Sequence, residues 1–348
     1  GKSVNTLSGG QISKENPSFI KKLLLSIRGN FFIPDPRINW VKPVVKFLKQ
    51  YLKSEGIDTL ITTGPPHSMH LIGGTLKKTL DVNWYADFRD PWTQIHYHNA
   101  LRLLPFAKKK HEKLEKEVIN NCDALFVTSQ ATARWYQPQT NKPIHVLTNG
   151  YDISDFKNIK PSSITTKFVC VHAGSLLPQR NPKALWRVLK QISDENEAFK
   201  NALSIEFVGN INPEIKHTIH DFGLSKHVTF RGYLAHEEVL RILKTSNLLF
   251  LLEGNSFQNS LIIPGKLFEY LAIKKRILAI GPNGSDMKVI IENTRSGAYF
   301  ETNQDLQIKM FLEQEFNNFK NDVQPLEPVN IQKYSREAVT RSLAAIIK

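Results

Sequence analysis

From Asp58 onward, short β-rich runs alternate with helical patterns, and that alternation limits the possible folds more than any other feature of the chain. Strand, helix and strand in this order build parallel sheets from βαβ units, so the chain reads as α/β and not as a helical bundle or a sandwich. In the first half, Thr59–Thr62, Trp84–Ala86, Ala124–Thr128 and His145–Leu147 are predicted strands, and His67–Thr79, Phe106–Asn121 and Ala131–Tyr136 predicted helices. The strands run into polar or Gly/Pro turns: Thr63-Gly64-Pro65-Pro66, Asp87-Phe88-Arg89-Asp90-Pro91, Ser129-Gln130 and Asn149-Gly150. Ligands of open α/β sheets sit at such carboxyl ends.

A second series follows a largely polar stretch, Asp152–Thr166, which is the expected linker. Its predicted strands are Phe168–His172, Ser204–Val208, Val228–Phe230, Leu248–Leu252, Arg276–Ile280 and Ala298–Phe300. The helices between them start at Pro182 and cover Pro213–Phe222, His236–Thr245, Gly265–Ile273 and Ser285–Glu292. With 348 residues the chain is too long for one ordinary core. The expected division is a Rossmann-like domain over residues 1–155, a second over 166–330, and a final helix within 334–348 started by Ser335 with Glu337 in its first turn. No strand and Gly-rich turn precede Phe19–Arg28, so the first domain reads as incomplete at its start and the visible beginning as internal to a longer chain.

The formal charge of +14 is uneven. Residues 1–150 hold 21 Lys and Arg against 11 Asp and Glu, net +10, and the remaining residues 25 against 21, net +4. A basic half suits phosphate-bearing partners or an anionic membrane surface. Nucleic acid is not expected, because no zinc-finger spacing, basic heptad region or RNP-type strand is present. The longest apolar runs, such as Leu248–Leu252, fall far short of the roughly 20 residues that span a bilayer. The two cysteines, Cys122 and Cys170, lack metal-ligand spacing and read as buried thiols in a reducing, cytoplasmic setting.

The sharpest local signal is Pro264-Gly265-Lys266-Leu267-Phe268-Glu269-Tyr270-Leu271-Ala272, which opens a helix after a buried strand and a loop. A helix start offers unpaired N–H groups and a positive dipole end to a diphosphate. Gly265 allows close approach, Lys266 adds a charge, and Glu269, one turn further on the same face, could accept two ribose hydroxyls. An exposed helix start with a Lys-Glu pair would give the same pattern. The context is a second strand-to-helix loop, Ala173-Gly174-Ser175-Leu176-Leu177-Pro178-Gln179-Arg180-Asn181-Pro182, in which Arg180 could clamp a diphosphate bidentately or remain a solvated loop arginine. A third turn, Val208-Gly209-Asn210, would lie beside them.

These residues, with Asn149-Gly150-Tyr151-Asp152 and Phe230-Arg231-Gly232-Tyr233, resemble the family-4 retaining glycosyltransferases of the GT-B fold. The first half is similar to a bacterial polysaccharide branch of that family through Phe32-Ile33-Pro34-Asp35, Thr63-Gly64-Pro65-Pro66-His67-Ser68 and Trp84-Tyr85-Ala86-Asp87-Phe88-Arg89-Asp90-Pro91-Trp92. The resemblance implies two doubly wound domains facing each other across a cleft, the second holding the nucleotide-sugar donor and the first the acceptor, with the final helix crossing back onto the first. Gly174, Ser175, Arg180, Gly209, Gly265, Lys266, Leu267 and Glu269 then form the candidate donor site. Two departures stand out. The first of the family's two glutamates eight positions apart would fall at Leu261, and the arginine usual after the first glycine is Ser175.

Retaining transfer needs stabilisation of the leaving group, which two cations and a helix dipole can supply. No Asp-x-Asp motif occurs, so no metal and no cofactor is expected beyond a UDP- or GDP-linked sugar substrate. The acceptor, a cell-surface glycan or a lipid-linked molecule, would meet Asp87 and Arg89, with Asp90 or His67 helping to take its proton. Loop capping and pairing with Arg89 would equally explain both aspartates. The expected location is the cytoplasm, at the inner face of the cytoplasmic membrane if the basic half docks there. Two other readings stay open: a sugar-nucleotide 2-epimerase of the same architecture, and a non-enzymatic polyanion-binding protein.

Overall fold

In a computed structural model, the structure describes residues 19–95, 101–157, 159 and 166–347. The chain divides into two compact units, the first running to Thr148 and the second from Asn149 to Ile346. The division thus falls just before the expected linker, of which residues 158 and 160–165 lie outside the described residues.

The first unit contains α1 (Phe19–Phe31), α2 (Val41–Ser54), β1 (Thr59–Gly64), α3 (Ser68–Lys77), β2 (Asn83–Phe88), α4 (Pro105–Asn121), β3 (Ala124–Val127), α5 (Gln130–Tyr136) and β4 (Ile144–Val146). Its sheet has the order β1-β2-β3-β4, all parallel. Each step moves the same way, so right-handed crossovers place α3, α4 and α5 on one face. The side chains agree: Trp84, Ala86, Phe88, Leu125 and Val127 pack with Val118, Ile119 and Tyr136, while Leu60 meets Val45, Leu52, Ile72 and Leu76. Both β1 and β2 run two residues past their predicted ends, because the ladder continues through Thr63↔Asp87 and Gly64↔Phe88. Asp35 fixes the start of α3 by accepting the N–H of Ser68 at 2.8 Å and its hydroxyl at 2.9 Å.

The second unit follows with β5 (Phe168–Ala173), α6 (Lys183–Glu195), α7 (Glu197–Ala202), β6 (Leu203–Val208), α8 (Pro213–Asp221), β7 (Val228–Gly232), α9 (His236–Thr245), β8 (Leu248–Leu252), α10 (Phe257–Ser260), α11 (Lys266–Ile273), β9 (Arg276–Ile280), α12 (Asp286–Thr294), β10 (Gly297–Phe300), α13 (Asp305–Lys320) and α14 (Arg336–Ile346). The six parallel strands have the order β10-β9-β8-β5-β6-β7. Building outward from β5 to β7, then returning to start β8 on the other side of β5, is double winding, and it covers both faces of the sheet. One layer holds Trp186, Phe199, Phe207 and Phe316, the other Leu240, Leu267, Phe268 and Met287. The central strand Leu-Leu-Phe-Leu-Leu is buried at every position, as a strand covered on both faces requires. Side-chain oxygens of Asn212 and Ser285 cap α8 and α12, and Ser335 accepts the N–H of Ala338 at the start of α14 as its sequence predicts.

Candidate functional site

The order of strands reverses between β5 and β8, and the switch point of a doubly wound sheet opens a crevice at the carboxyl ends of the strands flanking it. Three loops meet there. Gly174 follows β5 and Gly209 follows β6, with φ of +106° and +124°, conformations open to glycine at little cost. The Gly174 N–H donates to the Val208 carbonyl at 2.7 Å, and a Cβ at Gly209 would lie 2.6 Å from the Gly174 carbonyl oxygen. Similarly, a Cβ at Gly254, after β8, would lie 2.5 Å from the Gln179 carbonyl oxygen. The backbones are therefore in direct contact, with no room for side chains between them.

Helix α11 is pinned to β5 by Tyr270, whose hydroxyl accepts the Ala173 N–H at 3.0 Å. That anchor sets Lys266 beside Gly174, where a Cβ would stand 3.2 Å from the Lys266 Nζ. Lys266 is half-buried as a residue, but its ammonium is turned inward, wholly buried, and has no hydrogen-bond partner among the described residues. Burial lowers its pKa to about 8, with Arg180 pushing the same way and Glu253 and Glu269 opposing. Gly265 is exposed and a Cβ there would meet no protein atom, so the space above the helix start is open. Leu267 contributes differently from expectation: its side chain is fully buried in the core and its N–H donates to the Pro264 carbonyl. Glu269 is half-buried one turn further on, and burial raises its pKa against the pull of His236 and Lys266.

Arg180 is not a solvated loop arginine. It stands on a single 3-10 turn, Pro178–Arg180, with its Nε 3.0 Å from Oε2 of Glu253, an ion-pair contact out of line for a hydrogen bond. Glu253, absent from the sequence-based candidates, is 3% exposed at the end of β8, and its N–H still donates to Ile280 in β9. Burial pushes its carboxyl up in pKa, and Arg180 and Lys266 pull it back. His172 lies behind, held neutral by burial and by Lys266; its Nδ1 faces the Phe250 carbonyl at 3.0 Å and so carries the proton. The site is thus two cations around one buried carboxylate, with Glu269 beside them and Ser175 in the bend after Gly174.

In the first unit, the ends of β1 and β2 bring their loops side by side, and the Arg89 N–H donates to Gly64 at 2.9 Å. The Arg89 guanidinium reaches Asp87 at 3.4 Å and donates to the Leu147 carbonyl at 3.1 Å. Burial raises the pKa of both Asp87 and Asp90, with Arg89 opposing. His67 is 3% exposed and stacks on Trp92 at 4.8 Å, so its ring belongs to the loop's packing. Glu115 holds that loop from beneath, accepting the Tyr136 hydroxyl at 2.6 Å and the Thr93 N–H at 3.2 Å. The one group among the described residues with metal-ligand proximity is His217, His220 and Asp221, exposed at the end of α8.

Residues 6–155 match the family model of Glycosyltransferase Family 4. No curated protein sequence matches the chain. Among solved structures, sucrose-phosphate synthase from Thermosynechococcus elongatus is similar with a TM-score of 0.61 and 15% identity, over 89% of this chain and 78% of that one. HepE from Anabaena, solved with UDP-glucose, gives 0.59 and 14% over 87% and 81%. The lipopolysaccharide outer core galactosyltransferase WaaB gives 0.59 and 14% over 87% and 78%. Two parallel-sheet α/β units of this kind are the GT-B fold that these structures share. The match to Glycosyltransferase Family 4 lies over the first unit.

Proposed function

We propose that the chain moves a sugar from a UDP- or GDP-linked donor to a cell-surface glycan or lipid-linked acceptor, with retention at the anomeric carbon and without a metal. The observation that carries this reading is the pair Arg180 and Lys266 at the switch point, with Glu269 one turn along α11. The two cations and the positive end of α11 would take up the charge of the nucleoside diphosphate as its bond to the anomeric carbon breaks. The acceptor oxygen forms the new bond on the face that the diphosphate leaves. Asp90, half-buried with a raised pKa, is the better candidate to take the acceptor's proton, since His67 is enclosed by its neighbours. The complex of HepE with UDP-glucose and the named substrate of WaaB support the donor and acceptor classes by likeness.

Replacing Glu269 with Ala is expected to weaken UDP or GDP binding by about 1–3 kcal/mol, the scale of unpairing buried hydroxyls. Calorimetry showing parent-like affinity in that variant would remove Glu269 from the ribose site. Release of free nucleotide from UDP-, GDP- and ADP-sugars, with and without a lipid-linked acceptor, tests the reaction itself.

The membrane part of the reading rests on the first unit. Lys108, Lys109 and Lys110 are exposed near the start of α4, and Lys108 lies 4.0 Å from Glu112, which is also exposed. The same unit exposes aromatics: Phe106, two residues before Lys108, packs on Phe31 at 6.4 Å, and Phe47 stacks on Tyr51 along α2. No helix among the described residues is long and apolar enough to cross a membrane. Interfacial docking combines apolar insertion with attraction to anionic lipid, and the second part is screened within about 10 Å at 0.1 M salt. Co-sedimentation with anionic vesicles at low salt, lost with neutral lipid and reduced at high salt, is the expected result; equal recovery in the supernatant with both lipids would refute docking.

A further inference from the structure

We propose that Glu253 is the group that accepts a hydroxyl of the donor's sugar, between Arg180 and Lys266 at the carboxyl end of β8. The proposal rests on the nucleotide-sugar reading of this site and extends it from the diphosphate to the sugar. Its basis is a mismatch of partners. An ionised carboxylate accepts hydrogen bonds and donates none, and each oxygen needs donors aligned with its lone pairs. Glu253 is 3% exposed, yet neither oxygen has a hydrogen-bond partner among the described residues, the Arg180 contact at 3.0 Å being out of line. The Lys266 ammonium is in the same condition a short way off, buried, near enough to feel the carboxylate's charge, and without an acceptor. A buried polar group left this way is costly, so the cluster is matched to a ligand carrying both anionic oxygens and hydroxyl donors.

A nucleotide sugar carries both within a few bonds. Its diphosphate satisfies Lys266 and Arg180 but offers no donor to Glu253. The ribose hydroxyls have Glu269, further along α11. The sugar hydroxyls remain, attached next to the diphosphate and therefore next to the cations. No carboxylate stands at position 261, where Leu261 is buried and apolar, so Glu253 is the acid nearest the two cations that this part of the fold supplies. Its placement is rigid: the backbone of Glu253 pairs with β9, and the Asn259 side chain donates to the Gly254 carbonyl at 3.0 Å.

The test uses the whole chain with free UDP and GDP, and with UDP-glucose, UDP-galactose, UDP-N-acetylglucosamine and GDP-mannose. For whichever base the parent binds, Glu253→Gln is expected to weaken the sugar-linked nucleotide by about tenfold or more while changing free nucleotide by less than about twofold, since only the sugar loses its acceptor. Glu253→Ala should do the same, and circular dichroism verifies that each variant is folded; Gln, nearly the same shape, serves if Ala is not. Donors with single sugar hydroxyls replaced by fluorine, which cannot donate, locate the contact: one should bind the parent poorly and bind Glu253→Gln no worse than the unmodified donor does. Equal losses for sugar-linked and free nucleotide would reduce Glu253 to a support for Arg180 and Lys266 and overturn the proposal, as would no loss in either. A parent that binds no nucleotide at all fails the underlying donor-site reading, and the proposal with it.

Discussion

Lys266→Met should lower affinity for the donor nucleotide by about 10- to 150-fold, because a charge-assisted hydrogen bond to phosphate contributes about 1.5–3 kcal/mol and Arg180 alone does not replace it. Calorimetry with the nucleoside diphosphate checks the size of the effect, and its pH dependence checks the cause. The pKa of Lys266 is about 8 in the free protein, well below its ordinary value of 10.5. A phosphate beside it favours the charged form, so binding above pH 8 must draw a proton from solution, and affinity falls as pH rises through that value. The Met variant lacks this dependence. Stability moves the opposite way. Between pH 8 and 10.5 the unfolded chain holds a proton on Lys266 that the folded chain has released, so this residue's contribution to stability increases with pH across the window. Subtracting the variant's stability curve from the parent's isolates that slope. Parallel pH profiles for nucleotide binding in the two proteins would show that Lys266 does not meet the phosphate.

Trp84→Ala should destabilise the first unit by about 3–5 kcal/mol, the range for removing a large buried aromatic. The indole is fully buried, and the Cα of Gly73 sits so close that a Cβ there would lie 2.2 Å from the indole nitrogen. Its N–H donates to the Thr62 hydroxyl at 2.9 Å, which in turn lies 2.9 Å from Nδ1 of His70. Burial lowers the His70 pKa to about 3, so the ring is neutral, and with Thr62 as its donor the acceptor is Nδ1. Removing the indole therefore opens a cavity and leaves the Thr62 oxygen with an unmet lone pair. Trp84 also joins β1 to β2, the strands whose ends carry His67, Asp87, Arg89 and Asp90. Amide hydrogen exchange should accelerate across residues 59–128 and stay as in the parent along β5. Unchanged protection in the first unit would mean that the network is dispensable.

Which features were readable from the sequence follows from where their information lies. The bounds of β8, α9 and β9 are found as predicted, because Leu248–Leu252 is unbroken apolar sequence and the helix between Ala235 and Ser246 has a clear apolar stripe. The ends of β1 and β2 were not readable, since Gly64 and Asp87 are poor strand formers that extend only through their neighbours' ladder. Helices α2 and α13 were passed over: α2 carries Pro43 and a lysine at every third or fourth position, and α13 buries only Ile308, Leu312, Glu315 and Phe316 along a narrow stripe. The candidate loops were recognisable from Gly174, Arg180 and Lys266 because in each a glycine and a cation stand where a strand gives way to a helix. Glu253 was not, because a charge closing an apolar run looks like a boundary. Only the pairing of β8 with β5 and β9 shows that this boundary lies inside the site.

The glycine contacts at the switch point bear on how such a protein could be re-engineered. Gly209 leaves no room for a side chain against the Gly174 carbonyl, and Gly174 in turn stands against the Lys266 ammonium, so three segments separated by up to 92 positions behave as one mechanical part. Grafting any one of these loops from a related protein would present a foreign backbone to two native ones. A small displacement at residue 209 would be passed through the Gly174 peptide to Lys266. On the proposed donor-site reading, exchange of donor preference between homologues would therefore have to move the segments following β5 and β6 together with the start of α11, as a single cassette, whereas swaps confined to one loop would yield folded but poorly binding chimaeras.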